Sequence, residues 1–304
     1  MKKIKVGIAK EIDFKVYSYD KTFELKDISK NNLNFDVIII TSSTKISHKI
    51  INKHKNLKII FIMSLHLLSR IKLNKLRKDI KIIYFDKKSK KVLQSITPTP
   101  EFIFGLITIL SKNFLNCEFQ LKKNNWNPKN IALFSAEKML SLSTLGIVGY
   151  GRIGKKLEVI AKKFGMKTLI FSNKKNKRHV TLNKIAKGSD YISINLPLKK
   201  NTKNMINQNF FKKMKTNSYF INTSKGAIVN YNHLIKYLGK NIRGAAIDVY
   251  KKEKSSDKEI VKLTNYAKKN NNLILTPHIA GSTEDSIIKL QKHCLNKIKI
   301  NFSI

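Results

Sequence analysis

Ser143-Thr144-Leu145-Gly146-Ile147-Val148-Gly149-Tyr150-Gly151-Arg152-Ile153-Gly154, running on to Phe171-Ser172, decides how the rest of the chain is read. An apolar, β-rich run from Leu145 to Val148 meets Gly149-x-Gly151-x-x-Gly154. A helical pattern follows from Lys155 to Phe164, and a second apolar run, Thr168 to Phe171, closes a βαβ unit. In that setting each glycine has a physical task. Gly149 makes the tight turn, Gly151 lets the backbone approach a pyrophosphate, and Gly154 lets helix and strand pack closely. The helix start adds unpaired N–H groups and a positive dipole end. The stretch therefore predicts dinucleotide binding, with Gly149, Gly151, Arg152, Ile153 and Gly154 around the pyrophosphate. The bland alternative is a glycine-rich turn with no ligand.

At 304 residues the chain has length for one large or two medium domains with real cores. No stretch reaches the roughly 20 uncharged apolar residues that a membrane span needs. The basic start, Met1 to Val6, leads into a short strand rather than the apolar core of a signal peptide. Cys117 and Cys294 form no disulfide framework and no metal-ligand spacing, so no metal is expected and a reducing cytoplasm fits.

The net charge of +42 raises a nucleic-acid reading. Arginine, the residue suited to two-pronged phosphate and base recognition, occurs only at Arg70, Arg77, Arg152, Arg178 and Arg243. Lysine supplies nearly all the charge, spread along the chain among abundant Asn and Ile, residues that share A/T-rich codons. Compositional bias accounts for that pattern better than a polyanion surface, and nucleic acid is disfavoured as a partner. The field still favours small anions.

From Lys3 to Asp86, candidate strands Ile4–Ile8, Phe35–Ile40, Lys58–Ile62 and Ile80–Phe85 enclose helical segments at Lys45–Lys55 and Lys72–Lys78. The alternation predicts a small parallel α/β domain. Thr97-Pro98-Thr99-Pro100 marks a boundary, and an apolar helix from Glu101 to Leu110 should follow, capped by Thr99. Residues 111 to 142, with Trp126 and Pro128, read as an irregular excursion. Beyond the βαβ unit, strands are expected at Tyr191–Leu196, Tyr219–Asn222, Ala245–Val249 and Leu273–Leu275. Helices are expected at Asn204–Met214, Tyr231–Leu238 and Thr283–Ile300, and charged loops at Lys174–Arg178 and Lys251–Lys258.

Three segments carry chemistry, each just after an expected strand, where ligands gather in a doubly wound sheet. They are Ile221-Asn222-Thr223-Ser224-Lys225-Gly226, Ala246-Ile247-Asp248-Val249-Tyr250-Lys251-Lys252-Glu253 and Leu275-Thr276-Pro277-His278-Ile279-Ala280-Gly281. Together with Leu145–Gly154, this order resembles the D-isomer-specific 2-hydroxyacid dehydrogenases, nearest the phosphoglycerate dehydrogenase-like branch. The likeness runs from about Pro98 to Thr283 and is topological before that. It implies an α/β fold of two Rossmann-like doubly wound parallel-sheet domains, the substrate domain being discontinuous. Residues 1–97 and 283–304 would form the substrate domain and 98–282 the dinucleotide-binding domain. It implies hydride transfer between nicotinamide and a D-2-hydroxy acid/2-keto acid pair of the phosphoglycerate or hydroxypyruvate/glyoxylate type, read here as keto-acid reduction. Homodimers formed through the cofactor domain would follow.

By that resemblance His278 is the general acid/base, a task suited to an imidazole. Of the seven histidines, His278 alone sits at an expected strand end beside a Gly-containing turn. Glu253 is the carboxylate partner that would hold one ring nitrogen and stabilise the charged form; the proline expected after it is replaced by Lys254. Without the motif, Glu253 would read as a solvated glutamate and Asp248 as a strand-end residue capping local N–H groups. The resemblance instead places Asp248 near the nicotinamide. It also assigns Leu196, Pro197, Thr202, Thr223, Ser224, His278 and Gly281 to the cofactor.

Two departures bear on the substrate side. Lys225 stands where the family has the arginine that grips the substrate carboxylate and polarises its carbonyl; lysine keeps the charge but loses the planar fork. The loop Phe61–Ser69 should offer backbone N–H groups to the carboxylate, yet no glycine lies between Gly7 and Gly105, so the side chain of Ser64, His66 or Ser69 is expected to substitute there. Lys225, His278 and Ser64 are thus the substrate candidates, and a small anionic acid is the expected substrate. The second strand of the βαβ unit ends at Ser172, Asn173 and Lys174 with no carboxylate for a ribose 2′-OH, which favours NADP slightly over NAD. The departures also motivate a rival: a dinucleotide-binding sensor or scaffold impaired in catalysis.

Overall fold

A computed structural model describes residues 3–8, 20–28, 34–41, 48–63, 75–86, 89–125, 138–174 and 176–302. The chain divides into two compact units, 1–96 with 283–304, and 97–282.

In the first unit the strands β1 (Ile4–Ile8), β2 (Phe23–Asp27), β3 (Val37–Ile40), β4 (Ile59–Ile62) and β5 (Lys81–Tyr84) form one parallel sheet in the order β2-β1-β3-β4-β5. Strands buried on both faces read as unbroken apolar runs, and β3 and β4 are such runs. Val37 and Ile39 join the core on one face, while Ile38 and Ile40 join that on the other. The carboxy-terminal helix, Glu284–Phe302, returns to this unit and buries Cys294, Leu295 and Ile298 in its core. Strand β2 has no counterpart in the sequence reading. Its residues after Phe23 are half-buried, so the edge strand lacks the apolar signature of its neighbours. Over residues 75–78 the helix expected at Lys72–Lys78 is absent. Arg77 instead donates to the carbonyls of His54 and Leu57 and pairs with Asp79, fixing a loop.

Asp86 ties β5 to the last helix: its carboxylate lies 2.9 Å from Lys297 Nζ and accepts from Ser89 N and Oγ. The bond from Lys297 outweighs desolvation and holds the Asp86 carboxyl at about 2. A folded-state value below the unfolded one stabilises above the unfolded value and fades as pH falls through the folded one. The stability gap between wild type and Asp86→Asn, read as the urea midpoint, should therefore shrink between about pH 4 and pH 2 and stay constant above. A gap that does not change across that window would remove the pairing from the list of stabilising contacts.

The second unit opens with the helix Pro98–Ser111, whose prolines fall in the first turn, where no helical N–H bond is needed; its N-cap is Thr97, not Thr99. A further helix, Phe114–Lys122, occupies part of the supposed excursion, while Trp126 and Pro128 lie outside the described residues. By length and composition Lys90–Ser111 is apolar enough to cross a membrane. It is broken at Ile96–Thr97, however, and Ile103, Leu106, Ile107 and Leu110 are buried in the core of this unit.

The sheet of this unit is parallel, built from β6 (Thr144–Val148), β7 (Lys167–Phe171), β8 (Tyr191–Ile194), β9 (Ser218–Asn222), β10 (Ile242–Ile247) and β11 (Leu273–Leu275) in the order β11-β10-β9-β8-β6-β7. Its connections include the helices Arg152–Lys163, Leu182–Gly188, Gln208–Lys212, Tyr231–Tyr237 and Lys258–Lys269. The helices at 182–188 and 258–269 lay hidden in polar, lysine-rich sequence and are marked by Thr181 and Asp257, which accept from Lys184 N and Glu259 N as N-caps. The helix expected from Asn204 begins only at Gln208, after a cap at Asn207. Both units are thus doubly wound α/β folds. In the second, the order of strand addition reverses between β6 and β8, which is where such sheets bind ligands.

Candidate active site

The glycine turn leaves β6 at that switch point. Gly149 has φ +108°, donates to Phe171 O at 2.8 Å, and lies so close to the next loop that a Cβ would come within 2.6 Å of Asn195 O. A Cβ on Gly154 would strike the carbonyl of Gly149, so helix and turn meet there backbone to backbone. Gly151 is different: a Cβ there would meet nothing within 4 Å, and the helix it caps has no side-chain cap. The N–H groups of Ile153 and Gly154 precede the first helical bond, Lys155 N to Gly151 O, and so have no helical acceptor, the kind of donor an anion takes up at a helix start. Nearby Thr223 is buried, and its Oγ1 has no partner among the described residues. An open cradle with unspent donors and a buried orphan hydroxyl fits a dinucleotide.

Ser172, Asn173 and Lys174 line an open groove of about 700 Å³ together with Asn176, Lys177 and His179. Leu196 is buried and Pro197 exposed. The Thr202 hydroxyl is used inside its own loop, donating to Pro197 O at 2.8 Å and accepting from Lys199 N at 2.7 Å. Thr202 therefore shapes the 196–202 loop.

The catalytic loops follow β9, β10 and β11. His278 Nδ1 lies 2.7 Å from Glu253 Oε1, both side chains being about half exposed (42% and 49%). His278 has φ +59°, in the left-handed region that few residues other than glycine adopt. Asp248 supplies the hold: one carboxylate oxygen accepts from Thr276 Oγ1 at 2.6 Å and Ile279 N at 2.8 Å, and the other from Ala280 N at 3.0 Å. The capping reading of Asp248 is thus what the geometry shows, and its buried carboxylate organises the turn that presents His278. Gly281 is exposed at the end of that turn.

Lys225 is half-buried in extended backbone, with no bond to its ammonium among the described residues. Ser224 N and Oγ both donate to Asn222 Oδ1, at 3.1 and 2.9 Å. Ser224 is accordingly a loop-former whose hydroxyl is engaged. Ser64, His66 and Ser69 lie outside the described residues.

Residues not singled out from sequence join these loops. Buried Asn222 donates to Tyr231 Oη at 2.7 Å, and Tyr231 Oη donates to Val249 O at 2.7 Å. Tyr250 Oη donates to Thr276 O at 3.0 Å. Burial pushes the Tyr231 phenol far above its ordinary range, and burial, with Asp248 nearby, pushes Tyr250 to about 12. Both remain donors at neutral pH. A Cβ on Gly226 would meet Lys251 N at 2.5 Å, so the Lys225 loop is seated directly on the backbone leading to Glu253. The only sequence signals were an Asn ending an apolar strand and a Gly after Lys225.

Residues 104–280 match the family described as D-isomer specific 2-hydroxyacid dehydrogenase, NAD binding domain. The chain belongs to that family. It is 34% identical over 200 residues to a glyoxylate reductase of Thermococcus litoralis, covering 62% of this chain and 58% of that protein. It is 28% identical over 273 residues to a hydroxypyruvate reductase of Thermotoga maritima, covering 86% and 83%. Among solved structures, a D-lactate dehydrogenase from Aquifex aeolicus, complexed with NAD and lactic acid, superposes with a TM-score of 0.80 at 25% identity, over 98% of this chain and 95% of that one.

Proposed function

We propose that this protein is a nicotinamide-dependent reductase of small 2-keto acids, forming the D-2-hydroxy acid. The observation that carries the reading is His278 set 2.7 Å from Glu253 on a turn held by Asp248, in a domain of the D-2-hydroxyacid dehydrogenase family. Gly149–Gly154 would hold a reduced nicotinamide dinucleotide, which when bound would be the source of hydride for the carbonyl carbon. His278 gives a proton to the carbonyl oxygen through its other ring nitrogen, Glu253 keeps the ring oriented, and Lys225 pairs with the substrate carboxylate. Glyoxylate and hydroxypyruvate, which name two relatives, are the first substrates to assay, with phosphohydroxypyruvate.

The finer assignments are NADP over NAD, supported by Lys174 and Lys177 beside the groove and the lack of a carboxylate at Ser172–Lys174. A homodimer is supported by exposed Phe114, Phe119, Leu121, Leu142 and Phe164 on the second unit. A cytoplasmic setting is supported by a sequence whose two cysteines make no disulfide framework. Oxidation of NADPH and NADH, followed with each keto acid, tests the reading. Turnover with none of them, or turnover unaffected by loss of His278, overturns it. The intact His278–Glu253 pair gives no support to the catalytically impaired alternative.

A further inference from the structure

Glu158 is a carboxylate where a helix facing the core has no evident use for one. It lies in the helix Arg152–Lys163, has 4% of its surface exposed, and gathers four partners. Tyr150 Oη donates to Oε2; Arg178 Nη2 donates to Oε1 at 2.5 Å, Lys162 Nζ lies at 2.8 Å and Thr168 Oγ1 at 3.4 Å. Desolvation raises the Glu158 carboxyl, but the bonds from Lys162 and Tyr150 and the charge of Arg178 outweigh it and leave it below the usual carboxylate range. The Tyr150 phenol is raised by burial and by Glu158, so it stays a donor.

The partners' positions give the cluster meaning. Tyr150 lies within the glycine turn, between Gly149 and Gly151. Arg178 lies in the loop after β7 that contributes Asn173, Lys174 and Lys177 to the groove. His179 closes the ring: it packs edge-on against Tyr150, with centroids 5.7 Å apart, and its Nδ1 lies 2.7 Å from Lys174 O. One buried carboxylate thus fastens the pyrophosphate turn and the groove loop to the same helix.

We propose that Glu158 is a positioning residue for the cofactor, fixing the glycine turn through Tyr150 and the groove loop through Arg178, so that both ends of an ADP moiety meet a preformed surface. This rests on the dinucleotide reading of the turn but not on turnover. Simple electrostatics gives the opposite sign. Removing a negative charge beside an anion site should tighten anion binding, whereas loss of a positioning group should weaken it.

The test is calorimetric titration of the full chain with NADPH, NADH, ADP and nicotinamide mononucleotide, comparing wild type with Glu158→Gln. The expected result is a rise in Kd of roughly tenfold or more, the scale of one charge-assisted hydrogen bond, equal for ADP and the preferred dinucleotide and absent for the mononucleotide. Unchanged or tighter ADP binding, or equal loss for all probes, overturns the proposal. If Glu158→Gln fails to fold, Tyr150→Phe removes one hydroxyl without changing charge. The same weakening is then expected, and wild-type ADP affinity in that variant overturns the proposal. A wild type that binds neither dinucleotide overturns it together with the reading it rests on. A wild type that binds as well as its variants overturns it alone.

Discussion

Replacing His278 with asparagine is expected to lower kcat by about 10²- to 10⁴-fold, the range a positioned general acid supplies, while leaving the Kd for reduced cofactor near its wild-type value. The choice of asparagine follows from the backbone. At φ +59° most side chains are strained, and asparagine is among the few that tolerate the left-handed region. The turn held by Asp248 should therefore survive, and the loss should report the imidazole rather than the loop. Removing Asp248 would combine both effects, because its carboxylate accepts from Ile279 N, Ala280 N and Thr276 Oγ1 at once. Glu253→Gln keeps an acceptor beside Nδ1 and should cost less than His278→Asn. Wild-type kcat in the asparagine variant would remove His278 from the chemistry.

Sequence periodicity carried the fold because both units bury their central strands on two faces. Val37–Ile40, Ile59–Ile62 and Leu145–Val148 are continuous apolar runs, and the glycine spacing after Val148 marks the one turn where backbone, not side chain, meets a ligand. His278, Glu253 and Asp248 were legible because each ends or closely follows such a strand. What escaped notice had no period. Strand Phe23–Asp27 is an edge with half-buried polar residues, and helix Lys258–Lys269 is nearly solvated, with Leu263 its buried residue. The links among the loops are contacts between segments far apart in sequence: Asn222 to Tyr231, Tyr231 to Val249, Tyr250 to Thr276, and Gly226 on Lys251. Glu158 was hidden by composition, since a glutamate amid lysines reads as a surface residue until it is found buried.

Lys225 decides how this active site differs from one built on arginine. Lys225→Met keeps an unbranched side chain one atom shorter and removes its charge; kcat/KM for the keto acid is expected to fall by about 10²- to 10³-fold, the usual loss of one oriented charged donor, with cofactor affinity unchanged. Lys225→Arg is the more informative variant. The loop is not free to move, because Asn222 Nδ2 donates to Lys225 O at 3.4 Å and Gly226 is pressed against the Tyr250–Lys251 backbone. A larger planar group must be accommodated by the side chain alone. The ammonium, with no partner among the described residues, would meet the substrate as a point charge; arginine keeps that charge, and turnover in Lys225→Arg is expected within about tenfold of wild type. Full activity in Lys225→Met would show that the substrate carboxylate is held elsewhere. A collapse in Lys225→Arg as deep as in Lys225→Met would show that the pocket has been reshaped around lysine and reads geometry as well as charge.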